Sequence, residues 1–95
     1  MKVVWTRTAR RHLASIHDYI AEDSPTYARV VVDRLTARSK QIALFPLSGR
    51  TLAEYQAPDI REVIETPYRI IYRVLPEQVD VLAVIHSARE WPRRR

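Results

Sequence analysis

Two stretches near the C-terminus constrain this chain more than any other: Tyr68-Arg69-Ile70-Ile71-Tyr72-Arg73-Val74 and Val79-Asp80-Val81-Leu82-Ala83-Val84-Ile85-His86-Ser87-Ala88-Arg89. Both are rich in β-branched and aromatic residues, and a Pro76-Glu77 turn separates them, so both predict β-strands. Strict alternation would put Tyr68, Ile70, Tyr72 and Val74 on one face of the first and Arg69, Ile71 and Arg73 on the other. In the second, Val79, Val81, Ala83 and Ile85 would oppose Asp80, Leu82, Val84 and His86. The second strand is apolar on both faces, which predicts a central position. The arginines of the first then mark its less buried side.

Ile60–Glu65 reads as a third strand, with Thr66-Pro67 as its turn, so the three strands predict an antiparallel meander. Lys2-Val3-Val4-Trp5 is a further short strand that would add to the same sheet. Between these pieces lie two helices. Thr6 and Thr8 are candidate N-caps for the first, whose Ala9, Leu13, Ile16 and Ile20 recur on one face. His12 and His17 flank that stripe without metal-ligand spacing, which predicts packing or solvation. Ser24 caps the second helix and Pro25 opens it. Its main stripe is Ala28, Val31, Val32, Leu35, Ser39 and Ile42, and a thinner one holds Val30, Ala37 and Leu44. The expectation is that this helix lies between two layers and buries both sides; the alternative is that the thinner stripe receives a partner. Phe45-Pro46 ends the helix near Leu44. Gly49, the only glycine, is expected at a positive φ, and residues 51–59 read as a loop. The fold class is α+β, with a helical hairpin packed on one face of the sheet.

The chain has 95 residues, which predicts one domain over 1–95 with marginal stability of its own. It has no cysteine, so disulfides and thiolate metal sites are excluded and a cytoplasmic setting is expected. No apolar run is long enough to span a membrane. Net charge is +5, carried by 14 arginines and only two lysines. Arg93, Arg94 and Arg95 supply three of those charges, and residues 91–95 are expected to be a mobile basic tail. No phosphate-binding glycine loop, nucleophile elbow or metal motif is present, and no cofactor is expected.

The order of these elements, with Phe45-Pro46-Leu47-Ser48-Gly49-Arg50, Ile60-Arg61-Glu62, Tyr68-Arg69-Ile70-Ile71-Tyr72 and Val84-Ile85-His86-Ser87-Ala88-Arg89, resembles the RelE/ParE superfamily of toxins from bacterial type II toxin–antitoxin modules. The resemblance spans nearly the whole chain. It implies growth arrest, a hetero-oligomer with an antitoxin, and a role of the plasmid-stabilisation kind. It also implies one of two actions. RelE-like members cleave messenger RNA on the ribosome; ParE-like members block DNA gyrase without hydrolysis and are neutralised by a ParD-like antitoxin.

RNA cleavage needs proton transfer and cations against the developing phosphorane charge. Arg69 and Arg89 match two arginines of the RelE pattern, but its lysine positions fall on Ile60 and Glu62, and no tyrosine follows Arg89. Glu62 would repel a phosphate there. In a second nuclease subgroup the matching set would be Glu54, Arg69 and His86. The missing lysines and tyrosine favour the ParE-like branch, with Arg50, Arg61, Arg69, His86 and Arg89 as the functional surface. Arg69 and Arg73 have a simpler expectation as cross-strand partners of Glu62, Glu65 or Glu77, Arg73 before Arg69. The Val30, Ala37 and Leu44 stripe and the free sheet edge are the candidate antitoxin contacts.

Overall fold

A computed structural model describes residues 1–52 and 55–91. Its elements are β1 (Lys2–Trp5), α1 (Arg7–Ala21), α2 (Pro25–Leu44), a 3-10 turn (Pro46–Ser48), β2 (Arg50–Thr51), β3 (Ile60–Glu65), β4 (Tyr68–Val74) and β5 (Gln78–His86). They form one five-stranded sheet in the order β1-β5-β4-β3-β2. β3, β4 and β5 make the antiparallel meander, and β1 joins β5 in parallel, with Val3 opposite Val79 and Trp5 opposite Val81. The α+β architecture is the one the sequence predicts. The glutamate at 54 and the tail beyond Trp91 lie outside the described residues.

Local chemistry sets the helix boundaries. The Thr6 side chain accepts from the Ala9 amide and donates to the Val81 carbonyl, so one hydroxyl caps α1 and fastens it to β5. Thr6, and not Thr8, is therefore the cap. The Ser24 hydroxyl accepts from the Tyr27 amide, and Pro25 occupies the first turn of α2, where its missing N–H costs nothing. The main core lies between the hairpin and the sheet: Ala9, Val31, Leu35 and Ile42 meet Val63, Ile70, Tyr72, Val79, Val81 and Val84. Each large member fully removed from water contributes about 1.5–3 kcal/mol before entropy is counted. Trp5 closes one end, its indole N–H donating to the buried Ser39 hydroxyl at 3.2 Å.

Several expectations are corrected. The alternation along β5 breaks: Ile71 pairs with Ala83 but Tyr72 pairs with Val81, so Leu82 bulges out of the ladder. A bulge adds one residue and shifts the phase of everything beyond it. Val79, Val81 and Val84 therefore face the helices, while Ala83 and Ile85 join Leu52, Ile60 and Ile71 in a smaller core on the other face. Residues 51–59 are not wholly loop. Arg50 and Thr51 pair with Glu62 and Arg61 as a short edge strand. From there Leu52, Tyr55 and Ala57 cover the second core, with Trp91 packed at its margin. β5 is interior, as its two apolar faces require, although β4 occupies the middle of the sheet.

Gly49 does not need a positive φ; it sits at φ −75°, ψ 156°. Its requirement is space. An added Cβ would stand 2.4 Å from the Tyr72 hydroxyl oxygen and 2.6 Å from the Glu62 carbonyl oxygen. Nor does α2 bury both sides. Val30, Ala37 and Leu44 are exposed, Leu44 at 70%.

Candidate functional site

The face of the sheet away from the helices carries charge where its small core ends. Across the ladder, Arg50 of β2 stands opposite Glu62 of β3. Glu62 and Arg69 are each only 5% exposed. The Glu62 carboxylate accepts from Arg50 Nε through one oxygen and from Arg69 Nη1 through the other, both at 2.9 Å. A second guanidinium nitrogen of Arg69 donates to the Arg89 carbonyl. Arg69 therefore ties β3 to the C-terminal turn. That turn is further fixed by Ser87 N–H donating to the Pro67 carbonyl and Arg89 N–H donating to the His86 carbonyl, both at 2.9 Å.

Arg69 is thus not on a less buried side, and it pairs more tightly than Arg73, which meets Asp59 at 3.3 Å in a partly exposed contact. Burying two charges is tolerable only when each is fully compensated, and the two arginines around one carboxylate supply that compensation. Above the pair lies an open concavity of about 470 Å³, lined by Arg50, Thr51, Glu62, Arg69 and the C-terminal turn Ser87-Ala88-Arg89-Glu90. The Arg50 side chain stands at its rim largely in water, and the exposed Arg89 lines it from the C-terminal turn. Its floor is a neutralised ion pair, and around it two arginines, Arg50 and Arg89, outnumber the one further carboxylate, Glu90, a positive balance that favours docking against an anionic surface.

Arg61 lies elsewhere. It is partly buried and donates through Nη1 to the Gly49 carbonyl at 2.9 Å, bracing the strap that carries Arg50. His86 is also apart. It pairs across the ladder with Tyr68, whose side chain packs against the main core, and so it stands on the helix side of the sheet, opposite Arg69. There it lines a second cleft with His12 and Arg89. Of the residues singled out in the sequence, then, Arg50, Arg69 and Arg89 converge; Arg61 supports them from the edge; His86 shares only Arg89 with them.

Burial shifts the titration of the groups that hold these elements together. His12 is pushed down, chiefly by burial and secondarily by the Arg89 charge; its Nδ1 accepts from the Val84 amide at 3.2 Å. Tyr72 is pushed up by burial. Its hydroxyl accepts from the Gly49 amide at 3.0 Å and donates to the Pro46 carbonyl at 2.6 Å, pinning the strap that leads into β2. Strand alternation marks Tyr72 only as a core residue and is silent on that hydroxyl. Glu62 is among the partners the sequence offers for Arg69, and the structure bears that pairing out; what the sequence does not show is that the pair is buried and that Arg50 shares the same carboxylate. The second apolar face of β5 is the sequence's signal for the second core, and Leu52, Tyr55 and Ala57 are the residues that cover it.

Among the described residues no helix is long and apolar enough to cross a membrane. Comparison with known proteins gives a consistent picture. Residues 3–91 match the family described as the ParE toxin of type II toxin–antitoxin system parDE. A Sinorhizobium fredii protein named as a candidate toxin, Y4kP, is 34% identical over 93 residues, covering 96% of this chain and 93% of that one. Among solved structures, a chain of the chromosomal ParDE toxin–antitoxin system from P. aeruginosa superposes with a TM-score of 0.73 at 24% identity. A chain of the RelBE2 toxin–antitoxin complex from Mycobacterium tuberculosis does so with 0.60, also at 24% identity. Each alignment covers 90% of this chain and 95% of the other. At that identity the two structures speak for the fold alone.

Proposed function

From the premise that the chain belongs to the ParE toxin family of type II toxin–antitoxin systems, we propose that it arrests growth by binding DNA gyrase without breaking a bond, and that a ParD-like antitoxin neutralises it in the cytoplasm. The observation that carries this reading is the state of Arg69. A nuclease of the RelE kind would need that guanidinium facing a scissile phosphate. Here it is 5% exposed, with Glu62 held against it at 2.9 Å and the Arg89 carbonyl on its other arm. A phosphate could reach it only by displacing a buried carboxylate. His86, the candidate proton carrier, stands across the sheet from it. A static, cationic docking surface fits these facts better than a reaction centre.

In this reading Arg50 and Arg89 make the contact, Arg69 positions the turn that carries Arg89, and Arg61 steadies β2. The exposed stripe of Val30, Ala37 and Leu44, continued by Phe45 and Leu47, is the surface for the antitoxin. An acidic antitoxin segment suits a chain of net charge +5. The test is a side-by-side assay of one preparation: gyrase supercoiling against cleavage of translated message. Inhibited supercoiling with intact message is the expected result, and Arg50→Gln with Arg89→Gln should weaken it about tenfold or more. Codon-phased cuts with unimpaired gyrase would replace this reading with a ribosome-dependent endoribonuclease.

A further inference from the structure

The cleft on the helix side of the sheet holds about 450 Å³, within the size of small-ligand sites. One wall is a single face of α1, with His12, Ser15 and Tyr19 around Ile16; the other is made by Tyr68, His86 and Arg89. Its polar groups have a one-sided chemistry. His12 Nδ1 accepts from the Val84 amide and His86 Nδ1 accepts from the Ala88 amide, each at 3.2 Å. A neutral imidazole that accepts at Nδ1 carries its proton at Nε2. Both rings are therefore held as Nε2–H donors, and among the described residues neither Nε2–H nor the Arg89 guanidinium has a protein acceptor. Ser15, Tyr19 and Tyr68 add hydroxyls. Among the described residues no aspartate or glutamate lines the cleft.

Donors that line one cleft without an acceptor describe the complement of an anion. Here they come from three segments: α1, the end of β5 and the C-terminal turn. A planar carboxylate offers two oxygens in one plane, whereas a tetrahedral phosphate offers three or more in divergent directions. The tyrosines, Tyr19 largely exposed and Tyr68 partly so, supply ring surface beside the anion position.

We propose that this cleft binds a phosphate group, free or carried by a nucleotide, between His12, His86 and Arg89. The site goes beyond the gyrase reading and does not depend on it, since ligand binding is read without gyrase present.

The test follows imidazole Nε2 resonances of the full chain while inorganic phosphate, adenosine monophosphate or adenosine is added. Both His12 and His86 signals should move with phosphate or the nucleotide at or below ~10 mM, and stay still with adenosine. Arg89→Gln should weaken binding about tenfold or more, through loss of a charge-assisted bond. Lys40→Gln, which removes the same charge from an exposed position outside the cleft, should leave it unchanged. His12→Asn and His86→Asn keep an acceptor where Nδ1 stood but remove the Nε2 donor, and each should weaken binding severalfold. Tighter binding of the nucleotide than of phosphate assigns a nucleotide ligand; equal binding assigns the free anion. Silent histidine signals, a response to adenosine equal to that of the nucleotide, or equal binding by Arg89→Gln would each overturn the proposal.

Discussion

The Tyr72 hydroxyl lies 3.0 Å from the Gly49 amide nitrogen, and no side chain larger than hydrogen fits at position 49. Gly49→Ala should therefore destabilise the fold by about 1–3 kcal/mol through overpacking, read as a lower denaturant midpoint. Tyr72→Phe leaves the Gly49 N–H and the Pro46 carbonyl without their buried partner and should cost about 1–3 kcal/mol. Combining the two should cost less than the sum, because the first clash disappears with the hydroxyl. It should not restore the wild-type midpoint, since the Glu62 carbonyl, 2.6 Å from where the new methyl carbon would stand, is backbone and cannot move aside.

Glu62 and Glu65 sit on the same strand and should behave very differently. Glu62→Ala removes the buried carboxylate that Arg69 and Arg50 share and should cost about 3–5 kcal/mol. Pairing it with Arg69→Met should recover most of that loss, because two apolar side chains replace two charges. Glu65 meets Arg34 and Arg38 at 3.5 and 3.6 Å in partly solvated contacts, so Glu65→Ala should cost no more than about 1 kcal/mol. Chemical denaturation of these variants checks the contrast. Equal losses at 62 and 65 would mean that burial does not control the strength of these pairs.

Acid should loosen the seam between α1 and β5. The folded-state pKa of His12 lies below its ordinary 6.5, so the unfolded chain binds that proton more readily. Its contribution to stability is fully present above about pH 6.5 and is lost as pH falls from there through the lowered folded value. Protonation also removes the acceptor used by the Val84 amide. Melting temperature should fall across that window in the wild type and fall less in His12→Asn, whose side-chain oxygen can still accept. Parallel curves for the two proteins would remove His12 as the cause.

The stripe on α2 can be separated from stability by mutation. Leu44 is 70% exposed and Val30 50%, so Leu44→Asp and Val30→Asp should change stability by no more than about 0.5 kcal/mol. If the antitoxin covers this stripe, each should lower its affinity about tenfold or more. Titration calorimetry with the cognate antitoxin, alongside thermal melts, distinguishes the two effects. Unchanged affinity would move the contact to the free sheet edge.

The order of elements, the caps at Ser24 and Thr6 and the meander are legible in the sequence because each rests on local chemistry: period, capping residues and turn prolines. The division of β5 between two cores is not, because nothing in Val81-Leu82-Ala83 distinguishes a bulge from an unbroken strand; the ladder with β4 decides it. Gly49 stands out as the lone glycine, but the reason for it is a neighbour 23 positions away. The charge site escapes for the same kind of reason. Alternation places Arg69 opposite the main core, where it reads as a surface cation, and only the second core, with Glu62 beside it, reveals that both faces of the sheet are covered. The residues that converge, Arg50, Arg69 and Arg89, are all visible in the sequence; which of them is sealed and which is presented depends on contacts between distant strands.

Among the described residues β1 has one ladder partner, and it is the strand made last. During synthesis Val3 and Trp5 must wait for Val79 and Val81 to leave the exit tunnel before that border of the sheet can close. Until then Trp5 has no parallel neighbour and the hairpin lies over an unfinished layer. The concavity that Arg50 and Arg89 line depends on the turn beyond β5, so it is completed only after that strand has joined the sheet.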